Sequence, residues 1–480
     1  YTINYKIKSS NNVVYIYERK INVQNVQNID TSGANKPVLV DGLIPVMYDG
    51  SNWIKADSTN ANTNPTYKWY DYNNKLWANA VLVSSTNRST YQNASAGTTI
   101  ANADILAFYV WIPRYKYKVW NINKVIGTDS YNAQTIGINI VFENGTSSTG
   151  TISCTSYSYA ALSSSAGSPN ETCAGSNGDY YTHPAFTFGN QELTGFWMGK
   201  FELSSSSPTT SNGGGNTTLL TPRILPNVQQ WSHNTIDNFW KVIYDMQTSN
   251  NIYGLSTSRT NTDSHMITNM EWGAVAYLTN SKYGRCTTNS CTEVTKNNCS
   301  YVTGIGGDTI SASSSSSACI TDANKYNGTY GMLASTTGNI YGVYDMSGGS
   351  YDYVMGNVSR ASGTTYTYYA GLAGSNFTYS TDTAKYLTPY AYGTTKYDQA
   401  TYNRGRLGDA TSEVVLSSEY GGWYGDGALF PYSGPSGGTW ISRGGSYNSD
   451  SDVAGVFDFA NSSGGETTNW TSRAVLTPLT

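Results

Sequence analysis

The side chains best suited to catalysis or metal binding are sparse in this sequence. Its cysteines form no Cys-x-x-Cys pair, the spacing used by many zinc sites and thioredoxin-like redox centres. Its three histidines, His183, His233 and His265, are never four residues apart, the spacing that places two metal ligands on one helix face. We expect these histidines to be surface or capping residues, and zinc chemistry is not predicted.

One stretch matches the Gly-x-Ser-x-Gly pattern of serine hydrolases, namely Gly434-Pro-Ser-Gly-Gly438. That pattern acts as a nucleophile elbow only between a strand and a helix. Here Pro431, Pro435 and the glycine pair predict a turn instead. Paired carboxylates for glycoside hydrolysis leave no local pattern, since their separation is a distance in space. No catalytic residue is predicted, and we expect that the protein is not an enzyme.

The cysteines fit disulfides better than thiol chemistry. They lie at positions 154, 173, 286, 291, 299 and 319, within segments rich in Ser, Gly and Thr. Such segments lack the apolar residues for a core of their own, so covalent links would stabilise them. Pairing between sequence neighbours would join Cys154 to Cys173, Cys286 to Cys291 and Cys299 to Cys319, but the sequence leaves the connectivity open.

The composition narrows the class of protein. The 480-residue chain has 12% charged residues, 41 Tyr and 48 Gly, a profile typical of β-rich extracellular, cell-surface or virion proteins. Its net charge of −4 gives no support for a nucleic-acid partner. No stretch reaches the roughly 18 apolar residues of a membrane-spanning helix, so no membrane insertion of this chain is expected. The first residues lack signal-peptide features, and removal of an N-terminal anchor stays open.

Residues suited to contact a partner are concentrated near the C-terminus. Trp440–Arg443, Ala454–Phe459 and Arg473–Leu476 are apolar anchors at strand period, and small polar residues and Tyr lie between them. Tyr offers a large rigid contact area, and Ser, Gly and Asn adapt to many shapes, as in antibody paratopes. We predict that the following residues bind a ligand: Tyr447, Asn448, Asp450, Asp452, Asp458, Asn461, Glu466, Asn469 and Trp470.

This terminal motif resembles a known superfamily. Trp440-Ile-Ser-Arg-Gly-Gly-Ser-Tyr447, followed by Ser472-Arg-Ala-Val-Leu476, is similar to the C-terminal signature of the formylglycine-generating-enzyme/sulfatase-modifying superfamily, which has a C-type-lectin-like fold. Ala454-Gly-Val-Phe457, between segments rich in Asn, Ser and Asp, is closer to the variable ligand-binding proteins of diversity-generating retroelements in phage and gut bacteria. The resemblance implies a C-type-lectin-like domain that binds a partner, in which adenine-directed mutagenesis would produce the residue types seen between the anchors.

Further segments extend the resemblance. His183-Pro-Ala-Phe186 and Gly195–Glu202 look like an early strand of the domain, and Met270-Glu271-Trp272 resembles its Glu-Trp helix. Asn339–Tyr353 is similar to the element Asn-x-x-Gly-x-x-Asp-Met-x-Gly-Asn-Val-x-Glu-Trp, the most specific of these motifs. Together the matches cover most of the chain after its first hundred residues.

The resemblance also implies a metal and an activity. Asn339 and Asp345 stand where the superfamily supplies oxygen ligands, so a structural calcium ion is implied there. Gly349 and Asp352 replace the superfamily's Asn and Glu, which degrades one of its two sites. Turns closed by side-chain hydrogen bonds at Asn339 and Asp345 are the alternative. The superfamily's thiol-dependent oxidation is not expected, because residues 440–476 contain no cysteine, and no other cofactor is required.

Periodicity and turn residues predict a β-rich α+β fold with long loop insertions. Asp49-Gly-Ser-Asn52 predicts a hairpin turn, and Pro113 must end a strand. The aromatic hairpin at 69–77 could stack on sugar rings, although packing across strands explains it better. Helices are predicted at 235–247 and, after a capping box, at 269–280.

The same signals divide the chain into three parts. These are an extended N-terminal β arm at 1–40, a small β-rich unit at 41–125 and a C-type-lectin-like domain at 126–480. The domain carries insertions near 204–218, 284–338 and 357–435. The insertions are expected to be surface excursions.

Two functions fit these expectations. The first is a non-enzymatic adhesion protein of a phage tail, virion or bacterial envelope that binds a cell-surface protein or glycan receptor. The second is a structural subunit of an extracellular filament or virion that self-associates when residues 1–40 donate a strand to a neighbour. Pairing of the arm within its own chain is the simpler alternative, and an enzyme of the superfamily is a third function.

Overall fold

The structure, a computed structural model, describes residues 2–8, 14–20, 30–155, 170–206, 219–307, 319–358, 360–362, 365–367, 376–391, 397–417, 421–432, 438–449 and 453–479. Strands form 28% of the protein and helices 17%, which confirms a β-rich α+β fold. Within these ranges no helix is long and apolar enough to cross a membrane. Residues 433–437 of the predicted turn, and residues 207–218 and 308–318 of the predicted insertions, lie outside the described residues.

The elements are short and numerous. The α-helices are α1 (Ser85–Asn93), α2 (Ala133–Ile136), α3 (Ile236–Tyr244), α4 (Asn269–Thr279) and α5 (Gln399–Tyr402). The strands are β1 (Thr2–Lys8), β2 (Val14–Lys20), β3 (Leu43–Tyr48), β4 (Trp53–Lys55), β5 (Asn79–Val83), β6 (Ile105–Pro113), β7 (Tyr115–Lys118), β8 (Ile140–Phe142), β9 (Ser153–Cys154), β10 (Cys173–Ala174), β11 (Tyr180–Thr182), β12 (Thr187–Phe188), β13 (Gln191–Glu192), β14 (Gly195–Gly199), β15 (Ser204–Ser205), β16 (Pro222–Arg223), β17 (Thr262–Met266), β18 (Tyr351–Val358), β19 (Arg360–Ser362), β20 (Thr365–Thr367), β21 (Thr388–Tyr390), β22 (Val415–Ser417), β23 (Gly421–Gly422), β24 (Trp440–Arg443), β25 (Phe459–Ser462), β26 (Trp470–Ser472) and β27 (Ala474–Pro478). Short 3₁₀ turns lie at 72–74, 102–104, 184–186, 245–247, 331–334, 384–386, 412–414 and 423–425.

A seven-stranded antiparallel sheet forms the larger part of the core, in the order β17-β27-β14-β6-β5-β3-β4. Every residue of its central strand β6 is buried, as expected for a continuous apolar run covered on both faces. Pro113 ends that strand opposite Gly195, as predicted. Strands from 41–125 and from 126–480 are hydrogen-bonded in this one sheet, so the segments predicted as separate units share a core.

A second sheet brings the two most specific motifs together. β18 pairs with β24 in antiparallel fashion and with β21 and β26 in parallel, and β25 pairs with the far side of β24. The register places Asp352 opposite Arg443. The motifs Asn339–Tyr353 and Trp440–Tyr447 are therefore neighbours in space although they are far apart in sequence.

The two predicted helices are present. α3 buries Ile236, Trp240 and Ile243 along one face, as its apolar period predicts. α4 begins at the predicted capping box, in which Thr268 and Glu271 exchange hydrogen bonds. All of its residues are buried, so α4 lies inside the protein and not on its surface.

The predicted hairpin turn and the predicted packing of the aromatic segment are both present. The Asp49 N–H donates to the Asn52 carbonyl at 3.1 Å and closes the hairpin of β3 and β4. In the aromatic segment 69–77, Trp69 and Trp77 are at most 1% exposed. These rings therefore pack in the core and are not available to stack on a sugar.

Three disulfides join sequence neighbours: Cys154 to Cys173, Cys286 to Cys291 and Cys299 to Cys319. Two of the segments predicted as surface excursions, 284–338 and 357–435, are more integrated than expected. Asn297 and Ile305 in the first and Tyr390 and Glu413 in the second are fully buried. The regular elements in these segments are short, such as β21, which pairs with β18, and the sequence shows no clear strand or helix period there.

The N-terminal arm forms a ribbon of two strands. β1 pairs with β2 in an antiparallel register that runs from Thr2 opposite Lys20 to Lys8 opposite Val14. The arm therefore pairs within its own chain, the simpler of the two arrangements considered.

Glu413 is a buried acid at the centre of a hydrogen-bonded cluster. Its carboxylate accepts from the hydroxyls of Tyr277 (2.6 Å) and Tyr117 (3.1 Å) and from the Gly408 N–H (2.5 Å). Burial raises the pKa of Glu413 to about 8, although the hydrogen bonds from Tyr277 and Gly408 oppose the rise. In the unfolded chain the same carboxyl titrates near its ordinary pKa of 4.5.

This difference predicts a pH-dependent stability. The folded protein holds the Glu413 proton more tightly than the unfolded chain, so the protonated side chain contributes to the free energy of unfolding. This contribution is complete below about pH 4.5 and is lost as pH rises toward 8. Between these two pH values the free energy of unfolding falls by up to about 1 kcal/mol per pH unit. Urea unfolding at several pH values should show that the free energy of unfolding falls less with rising pH for Glu413→Gln than for the wild type. Equal slopes for the two proteins would contradict this prediction.

Candidate ligand-binding face

Buried strands hold the predicted contact loops. β24 lies between β18 and β25, and its Trp440 and Ile441 are fully buried. The guanidinium groups of Arg443 and Arg473 lie 5.6 Å and 5.9 Å from the ring of Trp272. The two arginines of the terminal motif thus meet at one indole, which ties the last strands of the protein to α4.

Loops from distant parts of the sequence meet beside these strands. The Tyr447 N–H donates to the Gly349 carbonyl, and the Tyr351 N–H donates to the Asn469 carbonyl, both at 2.8 Å. The hydroxyls of Tyr301 and Tyr447 lie 3.3 Å apart. We call the side chains gathered here the terminal face: Tyr301, Tyr351, Ser446, Tyr447, Asn448, Ser449, Asn469 and Trp470.

Aromatic rings give the terminal face a rigid base. The ring centroid of Trp470 lies 5.5 Å from the ring centroid of Tyr351 and 4.7 Å from that of Tyr353. The ring centroids of Tyr301 and Tyr447 lie 5.1 Å apart. Tyr301, Tyr351 and Trp470 are half-buried, and Tyr447 is 9% exposed. Because the rings hold one another in place, a partner that touches their outer edges orders few side chains on binding.

Short polar side chains surround this base. The Ser446 hydroxyl donates to Asn448 Oδ1 at 2.6 Å and lies 3.5 Å from Asn469 Nδ2. Lys296 Nζ donates to the Ser449 carbonyl at 2.6 Å and holds the loop from below. Asn448 is exposed. The amides of Asn448 and Asn469 can therefore donate to a partner and accept from it, whereas Ser446 is buried and holds Asn448 in place.

Asp458 does not belong to this surface. It is 1% exposed and precedes the buried anchor Phe459. Burial raises the pKa of Asp458 well above its ordinary value, and the Arg443 guanidinium opposes the rise. We therefore remove Asp458 from the predicted contact residues, because its side chain is buried beside the Arg443 guanidinium. Asp450 and Asp452 lie outside the described residues.

Asn461 and Glu466 border the terminal face. Both are half-buried and lie between the start of β25 and β26. Glu466 Oε1 lies 2.7 Å from His233 Nε2, so its carboxylate faces the segment before α3. The ring of Tyr353 packs against Trp470 of the terminal face, and the Tyr353 hydroxyl donates to the Gly465 carbonyl at 2.6 Å. This segment therefore forms the edge of the face and not its centre.

The other two histidines, His183 and His265, have different environments. His183 caps a 3₁₀ turn by accepting from the Ala185 N–H at 3.2 Å, as expected for a capping residue. His265 is fully buried instead, with its ring nitrogens 3.3 Å from Asp263 and 3.0 Å from Glu271. Burial disfavours its charged form, but Glu271 and Asp263 outweigh that effect and raise the pKa of His265 to about 9. Its place in β17 explains why it is neither a surface residue nor a cap.

One group of potential metal ligands lies close together in space. Among the described residues, a group that lies within 4.8 Å consists of Cys154, Glu171 and Cys173. The two cysteines are joined in a disulfide, so they offer no thiolate to a metal.

The pair implied for calcium is engaged in hydrogen bonds. Asn339 Oδ1 accepts from the Tyr341 N–H at 2.9 Å, and Asp345 Oδ1 accepts from Asn297 Nδ2 and from the Gly304 N–H, both at 2.8 Å. The Asn339 bond closes a local turn, the alternative considered for these residues, whereas the bonds of Asp345 join it to a segment far away in sequence. Because these oxygens already accept hydrogen bonds, we derive no role for the ion. Calcium at Asn339 and Asp345 stays a prediction.

A buried ionic centre lies beneath the terminal face. Arg473 Nε lies 2.7 Å from Asp352 Oδ2, and both side chains are fully buried. Burial raises the pKa of Asp352 to about 7, whereas Arg473 opposes the rise. Glu202 accepts from the Ser350 N–H at 2.9 Å. A Cβ at Gly349 would lie 2.6 Å from Glu202 Oε1, so a larger residue at that position would displace the Glu202 side chain.

Sequence reasoning missed part of the terminal face. Tyr351 was inside the Asn339–Tyr353 motif and Ser446 inside the terminal motif, so both could have been found as neighbours of predicted residues. Tyr301 lies in a segment without period, and only the spatial contact with Tyr447 reveals it.

Comparison with known proteins adds little. No protein-family model matches the chain, and no curated protein matches it. Among solved structures, the chain is similar to Treponema denticola variable protein 1, with 13% sequence identity and a TM-score of 0.27 over 60% of this chain and 86% of that chain. A TM-score this low carries no argument about fold or function, so the proposal below depends on the geometry of the terminal face.

Proposed function

We propose that this chain is a non-enzymatic binding protein that holds a cell-surface protein or glycan receptor on its terminal face. One observation carries the proposal. Loops from four parts of the sequence converge on buried strands and present half-buried aromatic rings surrounded by Asn and Ser side chains. Such a surface combines rigid area with adaptable hydrogen bonding, the combination that paratopes use.

We also propose a C-type-lectin-like fold of the formylglycine-generating-enzyme type. The support is that the two motifs of the resemblance are adjacent strands, with Asp352 opposite Arg443. Display outside the cell, on a bacterial envelope, phage tail or virion, is supported by the three disulfides, which persist in oxidising surroundings. Diversification of the terminal loops by a retroelement belongs to the same proposal.

The test is a binding screen of the full chain against an array of purified cell-surface proteins and glycans. A binding protein retains at least one array component, and substitutions on the terminal face abolish that retention. Retention that survives those substitutions would place the binding surface elsewhere.

A second function, the subunit of a filament or virion, has one observation in its favour. The ribbon of β1 and β2 joins no other sheet in the described part of the chain. An isolated two-stranded ribbon is only marginally stable in water, and its outer edges can pair with strands of a neighbouring molecule.

Deletion of residues 1–25 separates the two functions. For an assembling subunit, light scattering should show large particles for the full chain and a monomer mass for the deleted form. For a binding protein without strand exchange, the mass per particle corresponds to one chain before and after deletion. Particles that persist after the deletion would contradict assembly through this ribbon.

A further inference from the structure

A cavity of about 350 Å³ lies apart from the residues of the terminal face. Its walls come from Pro184–Gly189, from the first residues of α4, and from the segment Ala384–Pro389. Its volume falls in the range typical of small-molecule sites, and apolar side chains alternate with a few polar ones along its walls. The cavity shares no residue with the terminal face, so a ligand here would be additional to the proposed receptor.

Cationic side chains are accessible in this cavity, whereas their acidic partners are shielded. Lys385 and Arg406 line the cavity, with side chains 25% and 17% exposed. Lys385 Nζ lies 3.2 Å from Asp263 Oδ2, and Arg406 Nε lies 3.3 Å from Glu171 Oε1. These two carboxylates are 0% and 1% exposed, so a ligand meets the cations first.

The acid that does line the cavity is already engaged. Glu271 Oε2 accepts from the N–H and the hydroxyl of Thr268 at 2.8 Å and 3.0 Å, and its other oxygen lies 3.0 Å from His265 Nε2. The side chain of Glu271 is 4% exposed. The charge that the cavity presents is therefore positive, and it is suited to an anionic group.

Aromatic rings and hydroxyls complete the lining. Tyr181, Phe188 and Tyr379 contribute rings, and Lys385 Nζ lies 4.7 Å from the Phe188 ring centroid. The Thr388 hydroxyl oxygen accepts from the Met270 N–H at 3.2 Å, which leaves its proton to donate. Rings that cover an apolar face, beside cations and hydroxyls, match the chemistry of a sugar ring that carries a carboxylate.

We propose that this cavity binds an acidic monosaccharide, with the sugar ring against the aromatic side chains and the carboxylate toward Lys385 and Arg406. A neutral sugar would leave the cations without a new partner. A simple carboxylate such as acetate would leave the rings uncovered. Both parts of the ligand are therefore required for binding.

Calorimetric titration of the full, disulfide-intact chain tests this proposal with sodium glucuronate and N-acetylneuraminate as probes. At least one of them should bind, and glucose and sodium acetate should each bind about tenfold more weakly or not at all. Binding of neither acidic sugar, or equal binding of glucose and glucuronate, would overturn the proposal. Either result would leave the proposal for the terminal face unaffected.

Two variants act on the cavity in different ways. Lys385→Gln removes a cation and should weaken binding of the acidic sugar about tenfold. Ala384→Trp fills the cavity, leaves the charges in place and should abolish binding. The matched control is Lys282→Gln, which removes an exposed lysine that lies 4.8 Å from the Tyr283 ring outside the cavity. Unchanged affinity in both cavity variants, or an equal loss in the control, would overturn the proposal.

Discussion

Replacement of Arg473 by Met should lower the free energy of unfolding by about 3–5 kcal/mol, because it leaves buried carboxylates without their cation. Arg473 lies 2.7 Å from Asp352, and both side chains are fully buried. The same guanidinium also lowers the pKa values of Glu202 and Asp345, which burial raises. Urea unfolding near pH 7 measures the difference directly.

An exposed ion pair provides the matched control. Lys325 Nζ lies 2.8 Å from Asp322 Oδ1, with side chains 37% and 98% exposed. Because water screens that pair, Lys325→Met should change the free energy of unfolding by less than about 1 kcal/mol. A loss of that small size for Arg473→Met would show that the buried centre does not need its arginine, and would contradict its role as the support of the terminal face.

Elements with local signals could be predicted from the sequence. The turn at Asp49–Asn52, the strand end at Pro113 and the capping box at Thr268 each depend on a few adjacent residues. The disulfides also join near neighbours, although the sequence left their connectivity open. In each of these cases the physical cause lies within about one turn or one loop of the chain.

Burial of polar residues could not be predicted in this way. Glu413 receives hydrogen bonds from Tyr117 and Tyr277, which are far away in sequence. The pKa of His265 is raised in the core because Glu271 and Asp263 lie beside its two ring nitrogens. Such residues look like ordinary surface residues in a sequence, since their partners become neighbours only in the folded chain.

The terminal face was predicted in part for the same reason. Its anchors β24 and β27 are buried along their whole length, and Asn448 is exposed because it lies in the turn after β24. The contact of Tyr301 with Tyr447 has no such period. Asp458 is of a residue type common at binding surfaces, but its side chain is buried beside Arg443, which is far away in sequence from the loop that holds Asp458.

Paired substitution of Asn448 and Asn469 by Arg should have the largest effect on binding. Asn448 is exposed and accepts from Ser446, and Asn469 lies beside it on the half-buried rim. Long charged side chains at both positions would occupy the space of a partner, whereas the buried strands below would keep their packing. Since a few central residues carry most of the energy of a binding surface, affinity should fall about a hundredfold or more.

The central claim is that the terminal face is the surface that binds, and one comparison tests it most directly. The wild type, the Asn448→Arg/Asn469→Arg variant and the control Asn102→Arg, at an exposed site on another segment, are applied to one array of purified cell-surface proteins and glycans that carry no acidic sugar. We predict that the wild type and the control bind the same array components and that the double variant, with an unchanged melting temperature, loses them. Retention of those components by the double variant, or no binding by the wild type, would contradict the claim.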